Sequence, residues 1–375
     1  MKFIDGNLDD FLTYENILKS YLNVKKGKSK NEEVKVFETN KDKNIKRIME
    51  RLKSSHFEML PFIEFKVYEP KVRIIKAPQF EDRVIQDFFC KNFLREPIGK
   101  RLIYDNAACR PKKGTHFAIK RVRSFMHEIY EKEGIDCWIL KCDINKYFYS
   151  IDCEKLKSMI LPYVKDKRVE QFLRIIIDAG KDEFGLGLPL GNQTSQWFAV
   201  YYLDPLDRFI KEVLKIKYYS RYMDDFILIH KNKKHLQYCA KQIENFLKDY
   251  SLQLNEKTAL FPLRHGVDYL GFHTYINANG KIIMKIRKNS IKNIKRKMRR
   301  KNKVIEELLE LGHIEEAVEI RDSQLRSLTA WVGHAKHGNT YNLVESMLDL
   351  GEITQKEIEN SKLFHRRQNL DNSEK

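Results

Sequence analysis

The segment "YYSRYMDDFILIH", residues 218–230, places two adjacent carboxylates between two apolar runs rich in β-branched and aromatic residues. The two runs predict short strands, so Asp224 and Asp225 would stand at the tip of a hairpin. A polar turn explains this pattern most simply, because Asp is common in turns. A divalent cation also explains it, since its charge would relieve the repulsion between two carboxylates held close together. The rest of the chain decides between the turn and the cation site.

The overall charge points to a polyanionic partner. Among 375 residues, 70 Lys and Arg outnumber 52 Asp and Glu, which gives a net charge of +18. This excess favours nucleic acid over a membrane surface, because no basic amphipathic anchor with a large apolar face stands out. No apolar run approaches the roughly 20 residues of a membrane-spanning helix, and the acidic N-terminal segment lacks the apolar core of a signal peptide. We expect a cytoplasmic protein without a membrane partner.

The cysteines do not have the spacing of a metal site. They are Cys90, Cys109, Cys137, Cys142, Cys153 and Cys239, and no two of them form a Cys-x-x-Cys pair. This argues against a zinc ribbon or a zinc-dependent nuclease module. We expect reduced thiols, as in cytosolic proteins.

The middle of the chain predicts an α+β fold, after an N-terminal part of helices and one hairpin that turns near Glu69-Pro70. "CWILKCDI" (137–144) is typical of a buried strand that ends in an acid. Helical patterns follow to about residue 180, and the Gly-rich loop "FGLGLPLGNQTSQ" precedes another helix. The hairpin at 218–230, a helix, and strands in "LQLNEKTALF" and "VDYLGFHTYI" complete the order. This order predicts a small antiparallel sheet backed by helices.

From about residue 285 the chain is predicted to be helical and very basic. "KIRKNSIKNIKRKMRRKNK" (285–303) holds eleven Lys or Arg in nineteen residues. A solvated helix face explains such a run most simply. An apolar stripe at Ile286, Ile291, Ile294 and Met298 would instead anchor the helix and let its basic face dock on a phosphate backbone.

Acids at the ends of two predicted strands favour the cation site. Asp143 ends the strand at 137–144, 81 residues before Asp224. If these strands are neighbours, three carboxylates converge at one edge of the sheet and present only oxygen ligands, which Mg²⁺ prefers. Two such ions can stabilise both the attacking and the leaving oxygens of a phosphoryl displacement.

These residues carry a family resemblance. "YMDD" after a strand, with "CDINKYF" upstream, resembles the palm of a reverse transcriptase, and the order of the other segments agrees over about residues 12–345. "LPLGNQTSQWFAVYYLDPLD", "LNEKT" and "DYLGF" resemble the family's Gly-rich loop, its phosphate-side lysine segment and its primer-gripping hairpin. The resemblance implies a right-hand polymerase fold. Its expected parts are an N-terminal extension and fingers (1–136), a palm (137–280) with a helical fingers insertion at about 153–185, a basic helical thumb (281–350), and a partly disordered tail (351–375).

The Gly-rich loop "FGLGLPLGNQTSQ" indicates which group of reverse transcriptases the chain resembles. Most reverse transcriptases have Gln-Gly and then Ser-Pro there, whereas this chain has Leu190-Gly191 and Ser195-Gln196. With "DNAACRPKKGTHFAIKR" and "RSLTAWVGHAKHGNTYNL", this is similar to the reverse transcriptases of diversity-generating retroelements, encoded by bacteria, archaea or phages. That family copies a template-repeat RNA into cDNA with errors at template adenines, and the cDNA then replaces part of a target gene. Retron, group II intron and abortive-infection enzymes share the palm but fit the Ser-Gln loop less well.

The resemblance implies the following catalytic site. Asp143 and Asp224 bridge two Mg²⁺ ions, for which Mn²⁺ can substitute, Asp225 contributes less directly, and the Ile144 carbonyl completes the coordination. Phe148, five residues after Asp143, falls at the family's aromatic steric gate, whose ring would clash with a ribose 2′-OH; an ordinary core Phe is the alternative. The nucleotide-binding positions are Lys71, Arg73, Arg110, Phe148, Leu190, Gly191, Gln196 and Lys257.

Three of these positions have specific expected roles. Arg73 is expected to grip the triphosphate bidentately, whereas Lys71 acts as a point charge. Lys257 would neutralise or protonate the departing pyrophosphate, although a surface Lys is the alternative. Leu190 replaces a glutamine that braces the nucleotide sugar, and an aliphatic side chain makes no hydrogen bond. We expect this loss to lower fidelity.

The expected partners follow from the same resemblance. They are template-repeat RNA, the RNA/cDNA duplex, dNTPs and an accessory variability protein that is a small helical oligomer. The template- and primer-binding positions are Lys113, Tyr269, Leu270, Gly271, Lys292, Lys295, Arg296, Arg299 and Arg300. Two other functions remain open: a decayed palm that acts as an RNA-binding scaffold, and a template-independent, protein-primed DNA polymerase of phage defence.

Overall fold

The computed structural model describes residues 3–28, 31–54, 56–68 and 72–361. The chain divides into two compact units. Unit 1 comprises Met1–Val122 and Trp138–Leu260, and unit 2 comprises Arg123–Cys137 and Phe261–Lys375. The predicted boundaries of fingers, palm and thumb stay predictions. Of the helices in the described part of the chain, none is both long and apolar enough to cross a membrane.

Helices and one hairpin form the first part of unit 1. The elements are α1 (Leu8–Phe11), α2 (Tyr14–Lys25), α3 (Glu32–Thr39), α4 (Lys41–Lys53), β1 (Ile63–Val67), β2 (Arg73–Ala77), α5 (Phe80–Phe89), α6 (Arg95–Arg101) and α7 (Thr115–Glu133), which continues into unit 2. A π-helical stretch, Cys90–Leu94, joins α5 to α6. The antiparallel pairing of β1 with β2 confirms the predicted hairpin, whose turn near Glu69-Pro70 lies outside the described residues.

A four-stranded sheet forms the centre of unit 1. Its strands are β3 (Trp138–Cys142), β4 (Tyr218–Tyr222), β5 (Asp225–His230) and β6 (Ala259–Pro262), in the order β4-β5-β3-β6. Both β3 and β4 pair with β5 in antiparallel register. The associated helices are α8 (Tyr147–Ser150), α9 (Cys153–Ile160), α10 (Lys167–Asp178), α11 (Gln193–Tyr202), α12 (Asp204–Arg208) and α13 (Lys233–Lys248).

Local sequence explains the helices that back this sheet. Asn232 caps α13, because its side chain accepts a hydrogen bond from the backbone N–H of His235. The helix buries a stripe at Leu236, Cys239, Ile243 and Leu247, whose spacing places them on one face. The antiparallel, helix-backed sheet confirms the predicted α+β class.

Unit 2 contains a three-stranded sheet and a helical bundle. The strands are β7 (Val267–Tyr269), β8 (Phe272–Ile276) and β9 (Ile282–Ile286), paired antiparallel in this order. The helices are α14 (Lys288–Glu310), α15 (Ile314–Ala335) and α16 (Tyr341–Leu350).

Two predictions in unit 2 were wrong in detail. "VDYLGFHTYI" is two strands instead of one, because Leu270 and Gly271 adopt positive φ angles of 46° and 93° and turn the chain back. The basic helix begins at Lys288 and not near 285, since Lys285 and Ile286 belong to β9. Alternating burial along β9 is typical of a strand with one face on a core, so Ile286 is not part of the helical stripe.

Free thiols and an ordered segment after residue 350 complete the description. All six cysteines are free, and five of them are buried. Ile353 and Ile358, within the predicted tail, are 4% and 0% exposed. Residues 362–375 lie outside the described part of the chain, so the predicted disorder there stays a prediction.

Candidate active site

The hairpin predicted from residues 218–230 is confirmed, and it presents both acids at its tip. Tyr222 pairs with Asp225, so Met223 and Asp224 form a two-residue turn between β4 and β5. Met223 has a φ angle of 56°, in the left-handed region that residues with a side chain seldom adopt. Backbone strain of this kind persists only where the surroundings impose it.

The register of β3 on β5 brings Asp143 to the same place. Cys142 pairs with Phe226, so Asp143, the next residue, lies across from Asp225. Because alternate residues of a strand point to opposite faces, Lys141, Asp143 and Asp225 share one face of the sheet. Cys142 and Phe226, on the other face, are completely buried. The condition for the cation site, that the two strands are neighbours in the sheet, is therefore met.

The three carboxylates influence one another electrostatically. Burial is the largest cause that raises the pKa of Asp225, to about 7, and the negative charges of Asp143 and Asp224 raise it further. The ammonium group of Lys141 opposes this shift, since its Nζ lies 3.6 Å from Asp225 Oδ2. The side chain of Asp225 is 24% exposed. These acids are thus held close together in partly buried surroundings.

The donor set suits a hard cation. Three carboxylates supply only oxygen ligands, which Mg²⁺ and Mn²⁺ accept. Across the described ranges, no three His, Cys, Asp or Glu side chains are already gathered into a metal-binding cluster. The fit therefore rests on Asp143 and Asp225, which share one sheet face, on Asp224 in the adjoining turn, and on the oxygen chemistry of all three.

The predicted carbonyl ligand, Ile144, lies just beyond β3 in an isolated bridge with Leu254. The two hydrogen bonds of this bridge run from Asn145 N to the Gln253 carbonyl, at 2.9 Å, and from Asn255 N to the Asp143 carbonyl, at 2.7 Å. The Ile144 carbonyl therefore takes no part in the bridge.

The bridge also places the predicted phosphate-side lysine. Asn255, which bonds the Asp143 backbone, begins the turn that contains Lys257. The side chain of Asn255 accepts a hydrogen bond from Lys257 N at 3.1 Å. Lys257 is exposed and belongs to a turn anchored beside Asp143.

The predicted steric gate and the Gly-rich loop are joined by backbone hydrogen bonds. Phe148, half-buried on α8, accepts a bond at its carbonyl from Leu188 N at 2.8 Å. The ring of Phe148 meets that of Tyr147 edge to face, with centroids 5.8 Å apart. Leu190, two residues after Leu188, is also half-buried. The structure thus brings the gate and the loop together.

Gly191 extends this cluster to the β1–β2 hairpin. Its φ angle is 112°, and a Cβ atom there would come within 3.2 Å of both Ile75 Cγ2 and the Lys76 carbonyl on β2. Only glycine combines this backbone angle with so close an approach. Arg73 begins β2; its side chain and all of Lys71 lie outside the described part of the structure, so their roles stay predictions.

The remaining predicted residues of unit 1 make contacts within their own segment. Arg110 donates to the carbonyls of Ile103, at 2.7 Å, and Asn106, at 3.3 Å. Lys113 donates to the Tyr104 carbonyl and stands 4.1 Å from the centroid of that ring. Burial lowers the pKa of Lys113 to about 8.

Gln196, on α11, is exposed. Its Oε1 lies 3.8 Å from Cys109 Sγ, next to Arg110. The roles assigned to Arg110, Lys113 and Gln196 stay predictions.

Sequence reasoning missed a charged pair beneath the hairpin. Arg221 on β4 and Asp207 on α12 are both 0% exposed and form an ion pair of 2.6 Å. A signal was present, because an Arg inside the apolar run "YYSRYM" must find a partner if that strand is buried.

In unit 2, the predicted duplex-binding residues of α14 form a basic face. Lys288, Lys292, Lys295, Arg296 and Arg299 line a groove with Ile291 and Asn293. Ile294 and Met298, on another face of the helix, are 7% and 0% exposed. Arg300 is exposed but does not line the groove.

The β7–β8 turn carries the other three predicted positions. Tyr269 is 3% exposed, and Leu270 and Gly271 form the turn itself. The Gly271 carbonyl accepts a bond from Arg287 N at 3.1 Å, and a Cβ at Gly271 would meet His334 Nε2 at 3.0 Å. Glycine is needed at this close approach, and contact with a primer stays a prediction.

Fold and site together define a polymerase palm: an antiparallel sheet backed by helices, with three carboxylates around the tip of the β4–β5 hairpin. Residues 66–274 match the family model described as reverse transcriptase (RNA-dependent DNA polymerase). The match spans more than half of the chain, and the chain belongs to the reverse transcriptase family.

Among solved structures, the chain is similar to telomerases at low identity. The chain is 15% identical to an apo telomerase from Candida tropicalis, covering 63% of this chain and 50% of that one, with a TM-score of 0.46. It is 13% identical to a telomerase from Candida albicans in complex with a telomeric RNA fragment, covering 76% and 55%, with a TM-score of 0.46. The chain spans about half the length of these structures. A comparison with curated proteins found no match.

Proposed function

We propose that this chain is an RNA-directed DNA polymerase whose reaction takes place at Asp143, Asp224 and Asp225. The observation that carries the proposal is that these three carboxylates meet at the tip of the β4–β5 hairpin, although they come from distant parts of the sequence. In the reaction, the 3′-hydroxyl of a primer gives its proton to solvent, its oxygen attacks the α-phosphorus of a dNTP, and the bond from that phosphorus to the pyrophosphate breaks, which releases pyrophosphate.

The chain's own residues divide the work of this reaction. Asp143 and Asp224 would hold the cations, with Asp225 and the Ile144 carbonyl beside them. Two bound Mg²⁺ ions supply charge stabilisation for the attacking and leaving oxygens. Lys257, on the turn anchored at Asp143, is suited to neutralise the pyrophosphate. Phe148 would exclude a ribose 2′-OH, and Arg73 would bind the triphosphate.

The finer role that we propose is mutagenic copying of a template-repeat RNA for diversification of a target gene. Leu190-Gly191 and Ser195-Gln196 support this role, because they differ from the loop of most reverse transcriptases. Leu190 lies in the loop that is hydrogen-bonded to the gate segment. There, a missing side-chain hydrogen bond would loosen selection of the nucleotide by about 1 kcal/mol.

The proposed partners are RNA, the RNA/cDNA duplex and an accessory variability protein. The basic groove of α14 supports duplex binding, since it presents five cationic side chains along one helix face. The accessory protein is proposed from the family resemblance alone.

The test is primer extension on a defined RNA template with Mg²⁺ and dNTPs, followed by sequencing of the products. Asp224→Asn is the control, and each reaction is run with and without the accessory protein. We expect templated cDNA with errors concentrated opposite adenine, and no product from the variant. Accurate cDNA in both conditions would indicate a retron- or intron-type role. Untemplated product would indicate a defence polymerase, and no product would leave an RNA-binding scaffold.

A further inference from the structure

A buried ion pair lies beneath the catalytic hairpin. Arg221 donates from Nε to Asp207 Oδ1 at 2.7 Å and from one terminal nitrogen to Asp207 Oδ2 at 2.6 Å. This two-bond arrangement between guanidinium and carboxylate is the strongest form of side-chain ion pair. Arg221 pairs with Phe226 across the strands, so it lies on the face opposite Asp143 and Asp225.

The same guanidinium also holds the turn that carries the acids. Its second terminal nitrogen donates to the Met223 carbonyl at 2.9 Å. The first terminal nitrogen additionally donates to the Val200 carbonyl on α11 at 3.1 Å. One side chain therefore connects the strained turn residue to two helices beneath the sheet.

Asp207 is in turn fixed by two further donors. The Tyr219 hydroxyl donates to Oδ1 at 2.6 Å, and Asn106 Nδ2 donates to Oδ2 at 3.1 Å. Burial raises the pKa of Tyr219, so its hydroxyl keeps the proton that it donates.

The segment that contains Asn106 also pairs with the outer edge of β4. Arg221 N donates to the Asp105 carbonyl at 3.2 Å, and Ala107 N donates to the Arg221 carbonyl at 3.0 Å. The side chain and the backbone of Arg221 are therefore both held by neighbouring segments.

We propose that Arg221 and Asp207 are positioning residues, which fix the Met223 turn so that Asp224 and Asp225 point toward the cation site. A buried ion pair is weak evidence for stability, because apolar residues of similar volume often serve as well. The bond to the Met223 carbonyl is what an apolar replacement would lack. The inference rests on the proposed polymerase function, since it concerns how that site is held.

The decisive variant is Arg221→Lys in the full-length chain. Lys keeps the positive charge but cannot reach Asp207, Val200 and Met223 together, because it lacks the planar guanidinium fork. We expect kcat for primer extension to fall about tenfold or more, with KM for dNTP within twofold, as for losses around metal ligands. Hydrogen exchange measured without metal or nucleotide should accelerate at residues 222–226 and stay unchanged elsewhere in the sheet.

Asp204→Asn is the matched control. Asp204 lies on α12, as Asp207 does, and is 4% exposed. It forms an ion pair of 3.1 Å with Arg208 of the same helix. The substitution removes a buried charge from α12, and the ion pair that it breaks lies within that helix. We expect a lower melting temperature, with kcat and hairpin exchange unchanged.

Tyr219→Phe covers the case in which Arg221→Lys does not fold. It removes one donor to Asp207 and leaves Arg221 in place, so we expect a kcat loss of about two- to fivefold in the same direction. The proposal would be overturned if the folded variants lost only thermal stability, as Asp204→Asn does, with hairpin exchange and kcat at wild-type values. A wild-type chain without polymerase activity would refute the proposed function instead, while hydrogen exchange would still report whether Arg221 holds the turn.

Discussion

The palm site of unit 1 and the basic face of α14 in unit 2 use charge in opposite ways. The palm gathers half-buried acids from segments 81 residues apart in sequence, Asp143 and Asp224. Helix α14 presents Lys and Arg side chains to solvent that are neighbours on consecutive turns. Like charges brought together by tertiary structure require a counter-ion, whereas solvated bases on one helix do not.

This difference predicts how the two regions respond to substitution. A palm acid is one of very few ligands of the proposed cations, so its loss should abolish nucleotide addition. A basic side chain of α14 is one of several equivalent contacts with phosphates, so its loss should weaken duplex binding slightly and in a salt-dependent way.

The largest expected effect is that of Asp224→Asn. The amide keeps the shape of the side chain but removes the charge that a bridging cation needs, so extension should fall by about 10³-fold or more. Asp166→Asn is the control, because Asp166 caps α10 and Asn caps helices equally well. Steady-state extension rates measure both, and a rate within tenfold of wild type for Asp224→Asn would remove it from the site.

Phe148→Ala should reduce the preference for dNTP over rNTP by about tenfold or more, because the ring that excludes the 2′-OH is gone. The ratio of kcat/KM for the two nucleotides measures the effect. Tyr149→Ala is the control, since Tyr149 is the next residue on the same helix and is 48% exposed. Equal discrimination in wild type and Phe148→Ala would make Phe148 an ordinary core residue.

Leu190→Gln should lower misincorporation by about fivefold, if a restored hydrogen bond contributes roughly 1 kcal/mol to selection. Leu186→Gln, a half-buried leucine in the same loop, controls for the added amide. Sequenced products of a single RNA template give the error rate. An unchanged error spectrum would remove Leu190 from the explanation of low fidelity.

The smallest expected effect is that of Lys292→Ala, which should weaken RNA/DNA duplex binding about twofold and reduce the salt slope by about one. Lys297→Ala is the matched control, because Lys297 is exposed on the same helix but does not line the groove. Titrations at several salt concentrations compare the two. Identical slopes would mean that the groove face has no special part in binding.

Local pattern explains why so much of the palm was predictable. Apolar runs around Asp224 and Asp225 predicted the hairpin, and an apolar run predicted the strand before Asp143, whose pairing with β5 the structure supplied. The close approach of Gly191 to β2, in contrast, came only from the structure. Strand β9 was not predicted, because its apolar residues occupy only a short segment directly before the basic run.

The support beneath the hairpin was not predictable in the same way. Arg221 in an apolar strand shows that a partner must exist, but many acids in the chain qualify. Asp207 becomes the partner because α12 packs under β4, a contact made by tertiary structure. The sequence shows which acids lie at the end of a strand. It does not show which residues pair between the sheet and the helices beneath it.

The central claim is that the three palm acids hold two divalent cations. Mn²⁺ bound per chain, counted by electron paramagnetic resonance in the presence of an RNA template, a chain-terminated primer and the next dNTP, tests it most directly. We predict two ions in the wild type, and fewer in Asp143→Asn and Asp224→Asn, with Asp166→Asn unchanged. Two ions retained in both palm variants would contradict the claim and place the cations elsewhere.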